Sequence, residues 1–356
     1  MAVSVRPIHP AIPVGVRFAV IAAVLFGSTT PIAKFLISDV HPVLLAAILY
    51  LGSGIGLTIT RHLLKSANDE ASLQKSMYPW LLGAIFFGGI LAPVLLMIGL
   101  KTSPASSASL LLNLEGVFTA ILAWVIFKEN FDRRIATGMA LIIVGGVLLT
   151  GQTDFRLETS WGSLLIILAC LCWGIDNNLT QKVSSNDPYQ IASIKGLCAG
   201  SFNIIICIIL GISHCPLEKL FAGLILGFLG YGLSLSFFVI ALRHIGTART
   251  GAYFSFAPFW GAILSILVLG EKITWSLIAA GILMAAGLWL HLTERHEHPH
   301  EHEEFKHDHK HTHDEHHLHG HDGLEPITPE HAHAHAHEKI VHVHSHFPDI
   351  HHRHAH

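Results

Sequence analysis

Three places in this 356-residue chain set ionisable or strongly hydrogen-bonding side chains inside long apolar runs. Glu115 stands in the run 103–127, Asp176-Asn177-Asn178 in 161–183, and Lys195 in 188–211. A charge at the centre of a bilayer costs about 2.5–3.5 kcal/mol on insertion scales, so each needs a partner or a function. Glu115 could bind a cation or carry a proton; the alternative is a structural bond between helices. A helical face through Glu115 also collects Ala108, Leu111, Thr119 and Leu122. The three polar residues 176–178 span most of a helix circumference, so they cannot all face lipid. Their carboxylate and amides suit an amine, carboxylate or amide ligand, or an interhelical network. Asp176 is eight residues before Ser184 and Lys195 seven after Pro188. At 1.5 Å per residue both sit roughly 10–12 Å from the same hairpin end, which makes them plausible ion-pair partners. Tyr231 and Ser234 offer further cavity-lining polar groups. Arg249 and Tyr253 share a face, with Arg249 read first as a snorkelling anchor. Glu129 and Glu271 fall just past helix ends and read as local caps or pairs.

A second chemistry-bearing region is the C-terminal tail. Of 29 His, 23 lie between Leu292 and His356. The pattern is largely His-x-His, as in His307, His309, His311 and His313, and again in His331, His333, His335 and His337. Neutral imidazoles at that spacing can gather on Ni, Co or Zn. There is no apolar period, so no core can form, and the tail is expected to be disordered. Three roles stay open for it: buffering or sensing a transported metal, regulating movement of another solute through metal or pH, or a dispensable extension. His is sparse in the apolar part and sits near the ends of the runs, which argues mildly against metal as cargo. No cofactor is required by the sequence.

Other patterns read as packing. Gly52-Ser53-Gly54-Ile55-Gly56 has no preceding strand and no following Lys-Ser/Thr, so close helix contact explains it better than a phosphate loop. Four of the five Cys lie inside apolar runs and give no disulfide framework. No nucleotide-binding or nucleic-acid-binding motif appears. No nucleophile–base pair or His–carboxylate metal motif falls within the runs, so an enzyme is disfavoured.

The elements that must position these residues follow from composition. Half the chain is hydrophobic (51%) and only 13% is charged, against about a quarter in ordinary soluble domains. Residues 1–291 carry 17 basic and 12 acidic residues, a net of +5, whereas 292–356 carry 5 and 13, a net of −8. Ten runs are long enough to cross a bilayer: 16–37, 43–64, 79–100, 103–127, 133–151, 161–183, 188–211, 218–242, 246–269 and 273–291. They are continuous rather than alternating, so helices are favoured over a barrel. With the N-terminus inside, eleven Lys and Arg fall on inner segments and five on outer ones, placing both termini in the cytoplasm.

The chain also repeats itself. Residues 104–149 align without gaps on 246–291 at an offset of 142, with Ala120-Ile121-Leu122 on Ala262-Ile263-Leu264 and Glu129 on Glu271. Phe26-Gly27 corresponds to Trp173-Gly174, and Pro42 to Pro188 with one residue of slack. Five spans per half is odd, so the second half enters the membrane upside down. Such inverted repeats enclose a midplane cavity and suit alternating access.

The stretches Ala120 to Glu129 and Phe256-Ala257-Pro258 to Gly270-Glu271, with Trp161-Gly162 opening the second half, resemble the EamA-type members of the drug/metabolite transporter superfamily. The likeness covers 16–291. It implies ten helices as two inverted five-helix repeats, secondary transport of small metabolites, and a mild preference for efflux. Two features depart from that pattern: Leu114-Glu115-Gly116 stands where the second half has Phe256-Ala257-Pro258, and Lys195 sits where many members carry Arg.

The expectation is therefore an all-α, multi-pass protein of the cell membrane with a disordered tail. Its parts are a cytoplasmic segment 1–15, five-helix repeats 16–151 and 161–291, and a His-rich tail 292–356. It would move a small polar metabolite bound near Glu115, Asp176, Asn177, Asn178, Lys195, Tyr231, Arg249 and Tyr253. Its partners would be the bilayer and the solute, with a homodimer open. The alternatives are a divalent-cation transporter that uses the tail as chelator, and a metal-sensing membrane protein without transport.

Overall fold

The computed structural model describes residues 14–63, 75–127, 133–150, 157–183, 187–292, 297–302, 305–311, 331–337 and 340–345, the last four segments and residues 127, 157–160, 188, 242–249, 252 and 291–292 by backbone alone. Among these residues eight helical spans of 18 or more residues are apolar enough to cross a membrane, and two shorter apolar helices, Ala257–Leu269 and Trp275–Leu290, follow. The protein is an all-α membrane protein. Large apolar side chains such as Leu267, Val268 and Trp275 are exposed on its outside, as lipid solvation allows.

The first span is two helices, α1 (Val14–Gly27) and α2 (Thr29–Leu36). Pro31 cannot donate to Gly27, and the hydroxyls of Ser28 and Thr29 bond back to Val24 O and Phe26 O instead. The second span, α3 (Pro42–Leu63), is uninterrupted. Its glycines act as packing surfaces: a Cβ on Gly52 would overlap the backbone at Leu224, and one on Gly54 the backbone at Leu197.

The third span joins α4 (Tyr78–Ala84) to α5 (Ala92–Thr102) through a π-helical turn, Ile85–Leu91. There Ala92 N bonds Phe87 O. The next donor in that register would serve Gly88 O, but residue 93 is proline and has no N–H. Gly88 O is thus freed for other partners. The fourth span is broken between α6 (Ala105–Leu111) and α7 (Leu114–Phe127), where Asn113 Nδ2 takes Leu110 O. The face predicted through Glu115 is therefore corrected: Ala108 and Leu111 belong to a different helix from Glu115. The first half closes with α8 (Arg133–Thr150).

The second half repeats the plan with α9 (Leu157–Gln181) and α10 (Pro188–Ile209), then α11 (Leu217–Gly227), a second π turn Phe228–Leu233, and α12 (Ser234–Phe254). The rings of Phe238 and Phe254 lie 4.8 Å apart, whereas 16 residues of straight helix would separate them by about 24 Å. The chain doubles back inside α12, between the expected eighth and ninth spans. The helices α13 (Ala257–Leu269) and α14 (Trp275–Leu292) complete the bundle.

Helix packing exchanges the halves. α3 packs on α10 and α8 on α14, each a helix against its own counterpart, and α6 packs on α13, the counterpart of the adjoining α7. α1 packs on α12 and α5 on α9, which are counterparts of one another as pairs.

The described backbone of the tail forms β1 (Glu297–His302), β2 (Phe305–His311), β3 (His331–His337) and β4 (Ile340–Ser345), with β1 antiparallel to β4 and β2 to β3. The His-x-His alternation that lacks a helical period has the two-residue period of a strand.

Candidate functional site

At the level of the helix break in the fourth span, polar side chains from both halves meet. Glu115 is in the first turn of α7, where the helix dipole favours a carboxylate. Asn177 of α9 donates Nδ2 to Glu115 Oε1 at 2.8 Å and to Thr119 Oγ1 at 3.2 Å. Thr119 donates in turn to the Glu115 carbonyl at 2.8 Å. Asn178, one residue on, is buried and spends its Nδ2 on two backbone carbonyls, Gly174 O at 2.8 Å and Thr119 O at 3.1 Å.

The ion pair expected between Asp176 and Lys195 is present. Lys195 Nζ donates to Oδ1 at 2.6 Å and to Oδ2 at 2.7 Å, and Thr180 Oγ1 donates to Asp176 Oδ1 at 2.9 Å. Asp176 is only 6% exposed, so pairing offsets a large desolvation cost. The pair is reached by the π turn of the third span: a Cβ on Gly88 would overlap the Asp176 carboxylate, so only glycine permits this approach. The orphaned Gly88 O accepts from Tyr50 OH at 2.6 Å and from Trp173 Nε1 at 3.1 Å. Two buried aromatic donors are thereby locked beside the pair.

Tyr231, in the second π turn, stacks at 5.6 Å from the Tyr50 ring and 6.0 Å from Phe26, which lies 5.4 Å from Phe254. Glu115 is within electrostatic reach of both phenols and of the Asp176–Lys195 pair. Space remains open here: Asn177 and Gly116 are exposed, and a Cβ on Gly116 would meet nothing within 4 Å. Glu115, Asp176, Asn177, Lys195 and Tyr231 are thus brought into one neighbourhood. Ser234 is buried and donates to Gly230 O. Tyr253 is 39% exposed and makes no hydrogen bond to the cluster among the described residues. Arg249 lies in α12, where only the backbone is described. Tyr50, Trp173 and Thr180 were not singled out from sequence. The signal for the first two was indirect, a proline whose missing N–H strands a carbonyl in another span.

Polar contacts also tie the bundle at its ends. Glu271 is not the local cap expected; it reaches across to the N-terminus of α6, accepting from Ala105 N at 2.6 Å and Ser106 N at 2.8 Å. Lys34 Nζ donates to the carbonyls of Leu100, Lys101 and Ser103 at 2.6–3.1 Å. Asp39 pairs with Lys219 at 3.0 Å. That hydrogen bond, first, and the Ser38 hydroxyl, second, hold the Asp39 carboxyl below the ordinary carboxylate range. Elsewhere Arg61 Nε donates to Asp187 at 2.9 Å while Asp187 caps α10 through Tyr189 N and Gln190 N. Glu129 lies outside the described residues.

Of the tail residues assigned to metal, all but His313 fall on described strands. The register sets His307 opposite His335, His309 opposite His333 and His311 opposite His331. His313 lies outside the described residues. Among the described residues no three His, Cys, Asp or Glu side chains gather as a metal cage.

The EamA-like transporter family matches this chain twice, over residues 13–151 and 160–293. An "uncharacterized transporter" of Methanothermobacter thermautotrophicus is 32% identical over 285 residues, covering 76% of this chain and 83% of the relative. A "probable amino-acid metabolite efflux pump" of Salmonella typhimurium is 24% identical over 208 residues, covering 53% and 68%. A solved crystal structure superposes with a TM-score of 0.59 at 17% identity, covering 79% of this chain and 96% of that one, and supports the fold alone. The chain belongs to the EamA-like transporter family and is a multi-pass membrane transporter of the drug/metabolite transporter superfamily.

Proposed function

We propose that this protein is a secondary active transporter of a small polar metabolite, bound at the midplane and released by alternating access of two units, 16–151 and 161–291. The observation that carries this reading is the Glu115–Asn177 hydrogen bond. It joins the broken fourth span of one half to the sixth span of the other, so rocking of the halves must remake it. Glu115, Asn177, Tyr231 and the Asp176–Lys195 pair form the binding neighbourhood, and Arg249 and Tyr253 are assigned to the same solute. Glu115 is the group that carries the coupling proton. The protein acts in the cell membrane as a carrier, not an enzyme, and efflux is the preferred direction, as the name of the Salmonella relative supports.

Both termini face the cytoplasm. The excess of Lys and Arg on the inner segments supports that orientation, and the contacts of Asp39 with Lys219, Lys34 with Ser103 and Glu271 with Ala105 each join segments that the span count puts on one side. The test is flux in proteoliposomes. Glu115→Gln is expected to abolish the dependence of flux on a proton gradient; unchanged dependence removes Glu115 as the carrier.

A second reading, in which the tail binds Ni, Co or Zn and couples metal to transport, is favoured by the His-opposite-His register of β2 and β3. Deleting residues 296–356 should then alter the metal tolerance of cells while leaving metal-free flux intact.

A further inference from the structure

The donors and acceptors of the midplane site are unequally spent. Lys195 gives its ammonium to both oxygens of Asp176. Asn178 gives its amide to two carbonyls, and Asn177 gives its own to Glu115 and Thr119. Tyr50 and Trp173 are committed to Gly88 O. The acceptors tell the opposite story. Glu115 is bonded through Oε1 alone, and among the described residues neither its Oε2 nor Asn177 Oδ1 receives a hydrogen bond. The ion pairs of the described residues join Asp187 to Arg61, Asp176 to Lys195 and Asp39 to Lys219. Among the described residues Glu115 has no ion-pair partner, so when ionised it offers this site a carboxylate that no described cation answers.

The space beside these acceptors is open at Gly116 and Asn177, and aromatic rings bound the same neighbourhood at Tyr50, Tyr231 and Phe26. Ring faces attract cations and accept flat apolar groups. A carboxylic acid would find the donors of Lys195, Asn177, Asn178, Tyr50 and Trp173 already committed, and a zwitterion would leave its carboxylate short of them, at the cost buried polar groups incur. Resting on the transport reading above, we propose that the substrate is an organic ammonium ion with a flat apolar body, its N–H groups held by Glu115 Oε2 and Asn177 Oδ1 and its body lying on the aromatic rings.

Three probes that share one phenyl ring and differ in charge separate the possibilities: phenethylamine, phenylalanine and phenylacetate. Binding to the purified full chain is read by tryptophan fluorescence and thermal stabilisation. Phenethylamine should bind at least tenfold more tightly than phenylalanine, with phenylacetate weakest. Glu115→Gln should lose at least tenfold for phenethylamine, and Glu115→Asp should recover part of it. The wild-type ranking needs no variant, so it decides the matter even if Glu115→Gln does not fold. A ranking led by phenylacetate or phenylalanine overturns the proposal, as does failure of all three to bind. Phenethylamine bound but not carried in proteoliposomes upholds the ligand class and defeats the transport reading. Flux of an anionic solute with phenethylamine excluded does the reverse.

Discussion

In the third span Pro93 leaves the Gly88 carbonyl without its helical donor, and Tyr50 and Trp173 from distant helices take it. In the eighth span the corresponding carbonyl, that of Gly230, is served by Ser234 four residues away. Both glycines sit in a π turn and both let a neighbouring helix come close, Gly88 admitting Asp176 and Gly230 admitting Thr29. In the repeat register those two neighbours are counterparts, as Phe26-Gly27 is of Trp173-Gly174. The halves thus share a backbone device and differ in what they present to it. One position carries an ionised partner of Lys195; its counterpart carries a hydroxyl and a methyl. Likewise Glu115 opens α7 where Ala257 opens α13. A duplicated frame supplies the geometry, and a few unequal side chains supply the chemistry. π turns are frequent at functional sites for this reason: they free carbonyls that a regular helix would hide.

The comparison can be strained most severely at the ion pair. Lys195→Met should strand Asp176 in the membrane interior and cost about 3–5 kcal/mol, seen as loss of monodisperse protein and a lowered thermal midpoint. Adding Asp176→Asn should restore most of that stability. If the double variant is as unstable as the single, the pair is not what the second half gained.

Next come the glycines. Gly88→Ala forces a methyl against Asp176 and should destabilise by about 1–3 kcal/mol. Gly230→Ala meets the Thr29 methyl, which can rotate away, so its effect should be smaller, as should its effect on flux. Equal losses would mean that the two π turns do the same work.

A smaller change is expected at the contact between halves. Glu271→Gln keeps one acceptor for the α6 N-terminus and loses the other, a cost of about 0.5–2 kcal/mol on the scale of capping substitutions. Thermal unfolding should record a modest drop, with Glu271→Ala dropping further.

The smallest effect concerns Asp39 and Lys219. The folded carboxyl titrates below its unfolded value, so the pair contributes at neutral pH and its contribution is lost as acidification carries pH from the ordinary carboxylate range down through the folded value. Asp39 is exposed and screened, so the change should be slight. Asp39→Asn should flatten the acid limb of the melting temperature against pH; an unaltered limb would show that the pair is structurally neutral.

Much of this architecture was legible beforehand because the membrane imposes it. Apolar runs of about 20 residues must be helices when no water can satisfy the backbone, so the spans and their order followed from composition. Glu115, Asp176 and Lys195 could be singled out for the same reason, since charge in such runs demands an explanation. The helix break at 112–113 was not legible, because Leu112 and Asn113 carry no proline or glycine signal and the run remains apolar through it. The partner of Glu271 was equally hidden: a capping contact to a residue more than 160 positions away has no local trace.

What the sequence determined, then, was how many rods cross, which of them bear charge, and that the halves are related. It did so because hydropathy and repetition are one-dimensional properties. Tertiary structure alone decided that Lys195 answers Asp176 and not Glu115, that Asn178 turns its amide to backbone, and that a carbonyl freed by Pro93 anchors Tyr50 and Trp173. Those outcomes depend on which helix faces meet and at what depth, and packing of whole helices sets both.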